Sequence, residues 1–172
     1  MADVRLDSVT SADWAQVVGA EKNPWGTLGE ELEWGDKDQH VTIRDEHGQV
    51  RGMAGSLIAR VRVRGGGHEP IDVLGVGGVF VRASDRGQGL AGELLERLLE
   101  AGRERGPHWA MLFCDEPLTA LYGKHGFVRI EAPVWAEQKD GPVEMPMAAM
   151  YLPLASGLSW PPGQVDVLGH PF

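Results

Sequence analysis

Gly77–Leu99, GGVFVRASDRGQGLAGELLERLL, is the stretch from which the rest of the chain is placed. Gly77 to Arg82 is apolar and β-branched and reads as the end of a strand. Arg86-Gly87-Gln88-Gly89 breaks it with two glycines, the residues that turn most freely. From Leu90 the apolar residues recur every four positions: Leu90, Leu94 and Leu98 in one row, Ala91, Leu95 and Leu99 in the next. That is helical periodicity, one broad apolar face. A strand, a glycine turn and a helix start leave free backbone N–H groups at the positive end of a helix dipole. Such a turn suits a phosphate or pyrophosphate.

Towards the C-terminus, the helix is predicted over Leu90 to Arg105, with Glu93 and Arg97 at a supportive spacing on its wet face, and Gly106-Pro107 stops it. Trp109 to Cys114 is wholly apolar and reads as a buried strand after a crossover helix. A second helix is predicted from Pro117 to His125 and ends at Gly126. Phe127 to Glu131 returns as a strand, Pro133 to Pro146 is a loop, and Met147 to Leu154 is the last strand. Towards the N-terminus, Ile71–Arg82, Val50–Val63 and His40–Arg44 are three consecutive strands of an antiparallel meander, with a turn at Asp45-Glu46-His47-Gly48. Gly52 and Gly55 mark a bulge or bend, and Gly65-Gly66-Gly67 a flexible loop. Thr10 caps a helix predicted from Ala12 to Glu21, which stops before Asn23-Pro24. Pro24 to Asp38 is a short helix or an irregular lid, and Val4 to Val9 an edge strand. With no internal repeat and no linker, the 172 residues form one domain, long enough to bury a core.

Composition narrows the function. The net charge of −9 comes from 25 acidic against 16 basic residues, with no basic run of the kind that binds nucleic acid or anionic membranes. An acidic surface favours cationic ligands. The single cysteine, Cys114, excludes an internal disulfide and fits a reducing cytoplasm. No window approaches a membrane span or a secretory leader, so a cytoplasmic location is expected. The histidines have no metal-ligand spacing, and no metal is expected. Cys114 lies in the apolar run Met111-Leu112-Phe113-Cys114 and reads as core rather than nucleophile. Trp25, Trp34, Trp135 and Trp160 read as core or cleft-lining residues.

Two elements together resemble one family. Arg86-Gly87-Gln88-Gly89-Leu90-Ala91 follows Val79-Phe80-Val81, and Leu121-Tyr122-Gly123-Lys124-His125-Gly126-Phe127 comes downstream. The pattern resembles the GNAT superfamily of N-acetyltransferases, over roughly Val50 to Leu154. The resemblance implies an α/β (mixed α+β) single-domain GNAT fold, with a central, mostly antiparallel mixed sheet whose strands splay, flanked by helices. It implies acetyl-CoA as co-substrate. Arg86, Gly87, Gln88, Gly89, Leu90 and Ala91 would hold the pyrophosphate, and Val79, Phe80 and Val81 the pantetheine arm. Gly78 would offer a backbone N–H to the thioester carbonyl, and Tyr122 would protonate the leaving thiolate.

Within the superfamily the chain looks most like the aminoglycoside 2′-N-acetyltransferase branch, through the run into Val79–Ala83, the Leu121-Tyr122 pair and the tail with Trp160, Gly163 and Val165. It departs at Gly77, where that branch carries a substrate-facing acid. Glu33, Asp72, Asp115, Glu116 and the Phe172 carboxylate are candidates for the acceptor side and for the base. The expected activity is direct acetyl transfer to a primary amine, a cationic small molecule such as an aminoglycoside-like antibiotic. The alternatives are a peptide or protein amine as acceptor, or a non-catalytic acyl-CoA-binding module. The tail, residues 155–172, is expected to line the acceptor site, and a homodimer is the candidate assembly.

Overall fold

The computed structural model describes residues 3–22, 26–65, 67 and 69–172. Trp25, Pro24 and Gly66 lie outside the described residues. The antiparallel meander is present as expected: β2 (Gln39–Arg44), β3 (Val50–Val63) and β4 (Ile71–Val81), each paired with the next. β1 (Asp3–Asp7) adds to the outer edge of β2. α2 (Leu90–Arg103) then crosses over, and β5 (Trp109–Cys114) lies parallel to β4. α3 (Thr119–Lys124) follows a single 3₁₀ turn at Glu116–Leu118, shorter than the helix the sequence predicts. β6 (Val128–Arg129) is only two residues long and pairs with β9 (Ala148–Pro153), which also pairs with β5.

Two sequence expectations are corrected. The segment 133–146 is not all loop: β7 (Val134–Ala136) and β8 (Val143–Glu144) form a small hairpin. Nor is β9 the last strand. β10 (Val165–Val167) lies between β3, antiparallel, and β7, parallel. β3 therefore carries β4 along one edge and, on the other, β2 and then β10. The N-terminal helix, α1 (Ser11–Val18), has the expected Thr10 cap, completed by Asp13 as a capping box. It ends at Gly19, earlier than predicted. Residues 26–38 contain turns but no helix, the irregular alternative.

Side chains alternate across the central strands. Leu74, Val76, Ala110 and Leu112 face α2, whose Leu90, Leu94, Leu95, Leu98 and Leu99 are all buried. Each such leucine contributes about 1.5–3 kcal/mol. Val73, Trp109 and Met111 face the opposite layer, with Val165, Val167 and Phe172 from the tail. Two glycines let α2 lie close to its neighbours. A Cβ on Gly102 would stand 2.2 Å from a methyl of Leu74, and one on Gly92 would stand 2.8 Å from the His125 ring. No described helix is long and apolar enough to cross a membrane.

Candidate active site

The sheet opens where β4 and β5 part. They pair only from Val73–Val76 to Trp109–Leu112; beyond this, β4 stays with β3 and β5 stays with β9. The parting is reinforced by a bulge. Met53 pairs with Phe80 and Gly55 with Gly77, so Gly78 and Val79 oppose the single residue Ala54. Gly78 adopts φ +59, a conformation that favours glycine. A cleft of about 1050 Å³ occupies the split and is lined by Gly77, Gly78 and Val79 on one side and Phe113, Cys114 and Asp115 on the other.

At the α2 end of β4, Gly87 and Gly89 have φ of +78 and +81, and nothing stands within 4 Å of where a Cβ on either would sit. The turn is therefore an open cradle at the N-terminus of a 14-residue helix. Asp85, which the sequence reading passed over, holds this turn. It is buried and accepts hydrogen bonds from Arg82 at 2.5 Å and Arg51 at 2.9 Å, and Arg51 also donates to Gln88 at 2.9 Å. The Arg82 hydrogen bond, then Arg51, holds the Asp85 carboxyl below its ordinary value against the opposing effect of burial. Arg86 leans back over the Phe80 ring at 5.2 Å, donates to the Val81 carbonyl at 3.0 Å and pairs with Glu21.

Tyr122 lines the cleft from α3 and is 7% exposed, its ring edge-on to Phe127. Burial raises its phenol well above the ordinary value, and the neighbouring Cys114 adds to the rise. Cys114 borders the same cleft, but burial and then Asp115 push its thiol up to about 11. A thiol held protonated is a poor nucleophile.

The acceptor-side acids are not gathered in one place. Asp115 lines the cleft, reaching across its mouth towards Gly26, and Phe172 lines it as a buried ring 5.1 Å from Phe113. Asp72 does not; it is six positions along β4 from Gly78, roughly 20 Å away, and pairs with exposed Arg60. Glu116 is taken by Arg129 through two hydrogen bonds. Glu33 sits outside the cleft, accepting from the Lys139 amide and facing His170. Trp34 lines the cleft, Trp160 stacks on Tyr151, and Trp135 lies on β7. Among the described residues there is no group of three or more His, Cys, Asp or Glu side chains that could hold a metal.

Residues that the sequence reading did not single out complete the cleft. Trp14 of α1 stands 3.4 Å from where a Cβ on Gly78 would be. Gly75 and Gly77 are two apart on β4, hence on one face. A Cβ on Gly75 would meet the Phe172 ring at 2.5 Å, and one on Gly77 would meet Lys37 Cε at 2.7 Å and the Phe172 backbone at 2.8 Å. Lys37 and the tail thus occupy the space that a side chain at position 77 would need. Burial lowers the Lys37 ammonium from its ordinary value, partly opposed by Asp36. Burial, and then the Lys37 charge, lowers His40.

Residues 9–130, over two thirds of the chain, match the family described as "Acetyltransferase (GNAT) domain". No curated protein matches the chain. Among solved structures, the Escherichia coli GNAT family N-acetyltransferase YhbS, in complex with CoA, is similar with a TM-score of 0.64 and 20% identity, over 99% of this chain and 94% of that one. A GNAT family acetyltransferase from Brucella melitensis, in complex with acetyl-CoA, gives 0.54 and 18% over 95% and 94%. The ribosomal-protein-S18-alanine N-acetyltransferase of Escherichia coli gives 0.56 and 18% over 92% and 100%. At these identities the likeness is one of fold.

Proposed function

The chain belongs to the GNAT acetyltransferases, and on that premise we propose that it moves an acetyl group from acetyl-CoA directly to the primary amine of a small molecule. The observation that carries the reading is one cleft in which three features meet: the Gly78 bulge, Tyr122, and the β4–β5 split leading to the open Gly87–Gly89 cradle. Acetyl-CoA supplies an activated thioester when bound. The backbone of Arg86, Gly87, Gln88, Gly89, Leu90 and Ala91 takes the pyrophosphate at the helix N-terminus. The exposed strand edge at Val79, Phe80 and Val81 takes the amide-bearing arm. Gly78 offers its N–H to the thioester carbonyl oxygen. Tyr122, kept protonated by burial, gives its proton to the leaving sulfur. Asp115 and the Phe172 carboxylate are the members of the sequence-derived set that line the cleft, and Asp115 is the candidate to take the amine's proton through water.

Residues 50–154 form the donor-binding core in this reading, and the tail ending at Phe172 walls the acceptor side. An aminoglycoside-like polycation is the finer acceptor reading and has weak electrostatic support. The cleft is lined by Lys22 and Lys37 as well as Glu30, Asp36 and Asp115, so it is not an acidic pocket.

The test is thermal unfolding with and without CoA, followed by an acetyl-transfer screen read by free CoA thiol. CoA at a hundred times its Kd should stabilise the protein by about 2.7 kcal/mol, raising Tm by about 5–10 °C. No shift at saturating CoA would refute the cofactor reading.

A further inference from the structure

The two layers of the split sheet give the cleft two different walls. Tyr122 and Cys114 belong to the apolar layer that packs on α2, with Val79 and Val81 against it. These are donor-side groups in the acetyl-transfer reading. Phe172 belongs to the opposite layer, and Trp34, Phe113 and Met147 pack against that one. With the leaving sulfur at Tyr122, an incoming amine meets the second wall.

That wall is aromatic. The Trp34 and Phe113 rings meet edge to face with centroids 6.3 Å apart, and those of Phe113 and Phe172 lie 5.1 Å apart. Phe113 is the one residue of β5 that is not fully buried, and Trp34 is also part-exposed, so both rings show surface to the cleft. Trp34 has no donor left for a ligand, because its Nε1 donates to the Gly29 carbonyl at 3.1 Å. A Cβ on Gly29 would stand 2.6 Å from Met147 Cε and 2.9 Å from Trp34 Cζ2, so this turn lies directly on the wall. Beside it, Leu28 lines the cleft and is 45% exposed. Lys37 is occupied by the chain itself. Its stem lies in the trough left by the cross-strand partners Gly55 and Gly77. Its Nζ donates to the Gly35 carbonyl at 3.0 Å, and Nζ and the Phe172 carboxyl carbon lie 3.1 and 2.8 Å from the same Cβ position on Gly77.

An exposed leucine beside part-exposed aromatic rings, in one cleft, suits a ligand with an apolar body. A hydroxyl-rich acceptor would leave its hydroxyls unpaired against these rings. A flat ring gains from edge and face contacts with them. We propose that the acceptor is an arylalkylamine, whose short chain brings a primary amine to Gly78 while its aromatic ring packs on Trp34 and Phe113. The nitrogen bonds to the acetyl carbon and the thioester C–S bond breaks. The sulfur takes up a proton and the nitrogen loses one, giving the N-acetyl amine and CoA. The proposal rests on the acetyl-transfer reading above.

The experiment measures release of free CoA thiol with 2-phenylethylamine and tryptamine, beside 2-cyclohexylethylamine, ethanolamine, spermidine and kanamycin. Burying the ring should raise kcat/KM for 2-phenylethylamine about 10- to 100-fold above ethanolamine. Ring-to-ring packing should raise it about 2- to 10-fold above the cyclohexyl analogue. Leu28→Asp, at an exposed position, and Phe113→Leu, which keeps an apolar side chain, should each lower the phenylethylamine-to-ethanolamine ratio about 5- to 30-fold, chiefly through KM. An unchanged CoA-induced rise in Tm shows that a variant is folded and holds the donor; should Phe113→Leu lose that rise, the Leu28→Asp ratio decides. Spermidine, kanamycin, ethanolamine or the cyclohexyl analogue matching 2-phenylethylamine would overturn the proposal. So would unchanged ratios in both variants, or no transfer to either arylalkylamine. In those cases a CoA-induced rise in Tm leaves the acetyl-transfer reading standing; its absence is what removes that reading.

Discussion

Replacing Tyr122 by Phe removes one oxygen from the cleft and should separate chemistry from folding. The Tyr122 hydroxyl forms no hydrogen bond among the described residues, and the ring keeps its edge-on contact with Phe127, centroids 6.1 Å apart. Nothing is left unpaired by the change, so stability should stay within about 0.5 kcal/mol and Tm within about 2 °C. CoA affinity should be unchanged, because in the proposed mode of binding the backbone edge and the glycine cradle hold the co-substrate. The rate should not survive so well. Loss of a general acid removes about 10²–10³-fold from kcat, or about 3–4 kcal/mol of barrier.

The pH dependence carries a sign as well. Burial raises the Tyr122 pKa, so its proton, the one that counts, is retained through neutrality and beyond the ordinary tyrosine value. The wild-type kcat profile should therefore show no alkaline fall from Tyr122 below about pH 10. Steady-state kinetics with a free-thiol readout, alongside calorimetric melting, test both halves. A Tyr122→Phe enzyme with kcat within threefold of wild type would refute the general-acid assignment, and a large drop in Tm would refute the claim that the hydroxyl has no structural role.

Two further perturbations follow from packing and charge. Gly102→Ala should destabilise by about 1–2 kcal/mol despite the helix-propensity gain of about 1 kcal/mol, because the new methyl would stand 2.2 Å from fully buried Leu74. Gly123→Ala on exposed α3, with open space around it, should instead stabilise by about 0.5–1 kcal/mol, and urea unfolding of both variants checks the contrast. Asp85→Asn should cost about 2–3 kcal/mol at pH 7, between the limits for exposed and buried pairs, since Arg82 and Arg51 both lose their carboxylate. The Asp85 pKa is depressed in the folded state, so its contribution is complete above the unfolded value of about 4 and is lost as pH falls through the folded one. The gap between wild type and Asp85→Asn should narrow at pH 3, as measured by urea midpoints.

The elements visible in the sequence are those whose stability is local or strongly patterned. Val50–Val63 and Trp109–Cys114 are long enough in β-branched and apolar residues to be bounded to the residue, and the leucine rows locate α2. β7, β8 and β10 escaped because two or three residues have no period to detect, and their pairing is set by strands far away in sequence. On the donor side, the glycine turn was legible because conformation dictates composition there: φ near +80 at Gly87 and Gly89. The acceptor side was not. Glu33, Asp72 and Glu116 are acids by composition alone, and only the fold sends them to Lys139 and His170, to Arg60 and to Arg129. Lys37 belongs to the cleft because Gly55 and Gly77 happen to be cross-strand partners, a fact of register. The spacing of Gly75 and Gly77, two apart in an otherwise bulky strand, was the available signal for a face held clear.

The placement of β10 has a consequence for the order in which the two halves of the cleft come into being. The meander of β2, β3 and β4 and the crossover through α2 to β5 join near neighbours in sequence. β10 must find β3 across about a hundred residues, a closure with a high entropic toll. Phe172 lies five residues beyond β10, against Gly75 and Phe113. The donor half is thus assembled from short-range contacts, while the acceptor wall waits on the longest-range pairing in the sheet. Kinetically the cleft is two objects: during refolding, competence to bind CoA should arise before competence to hold an amine.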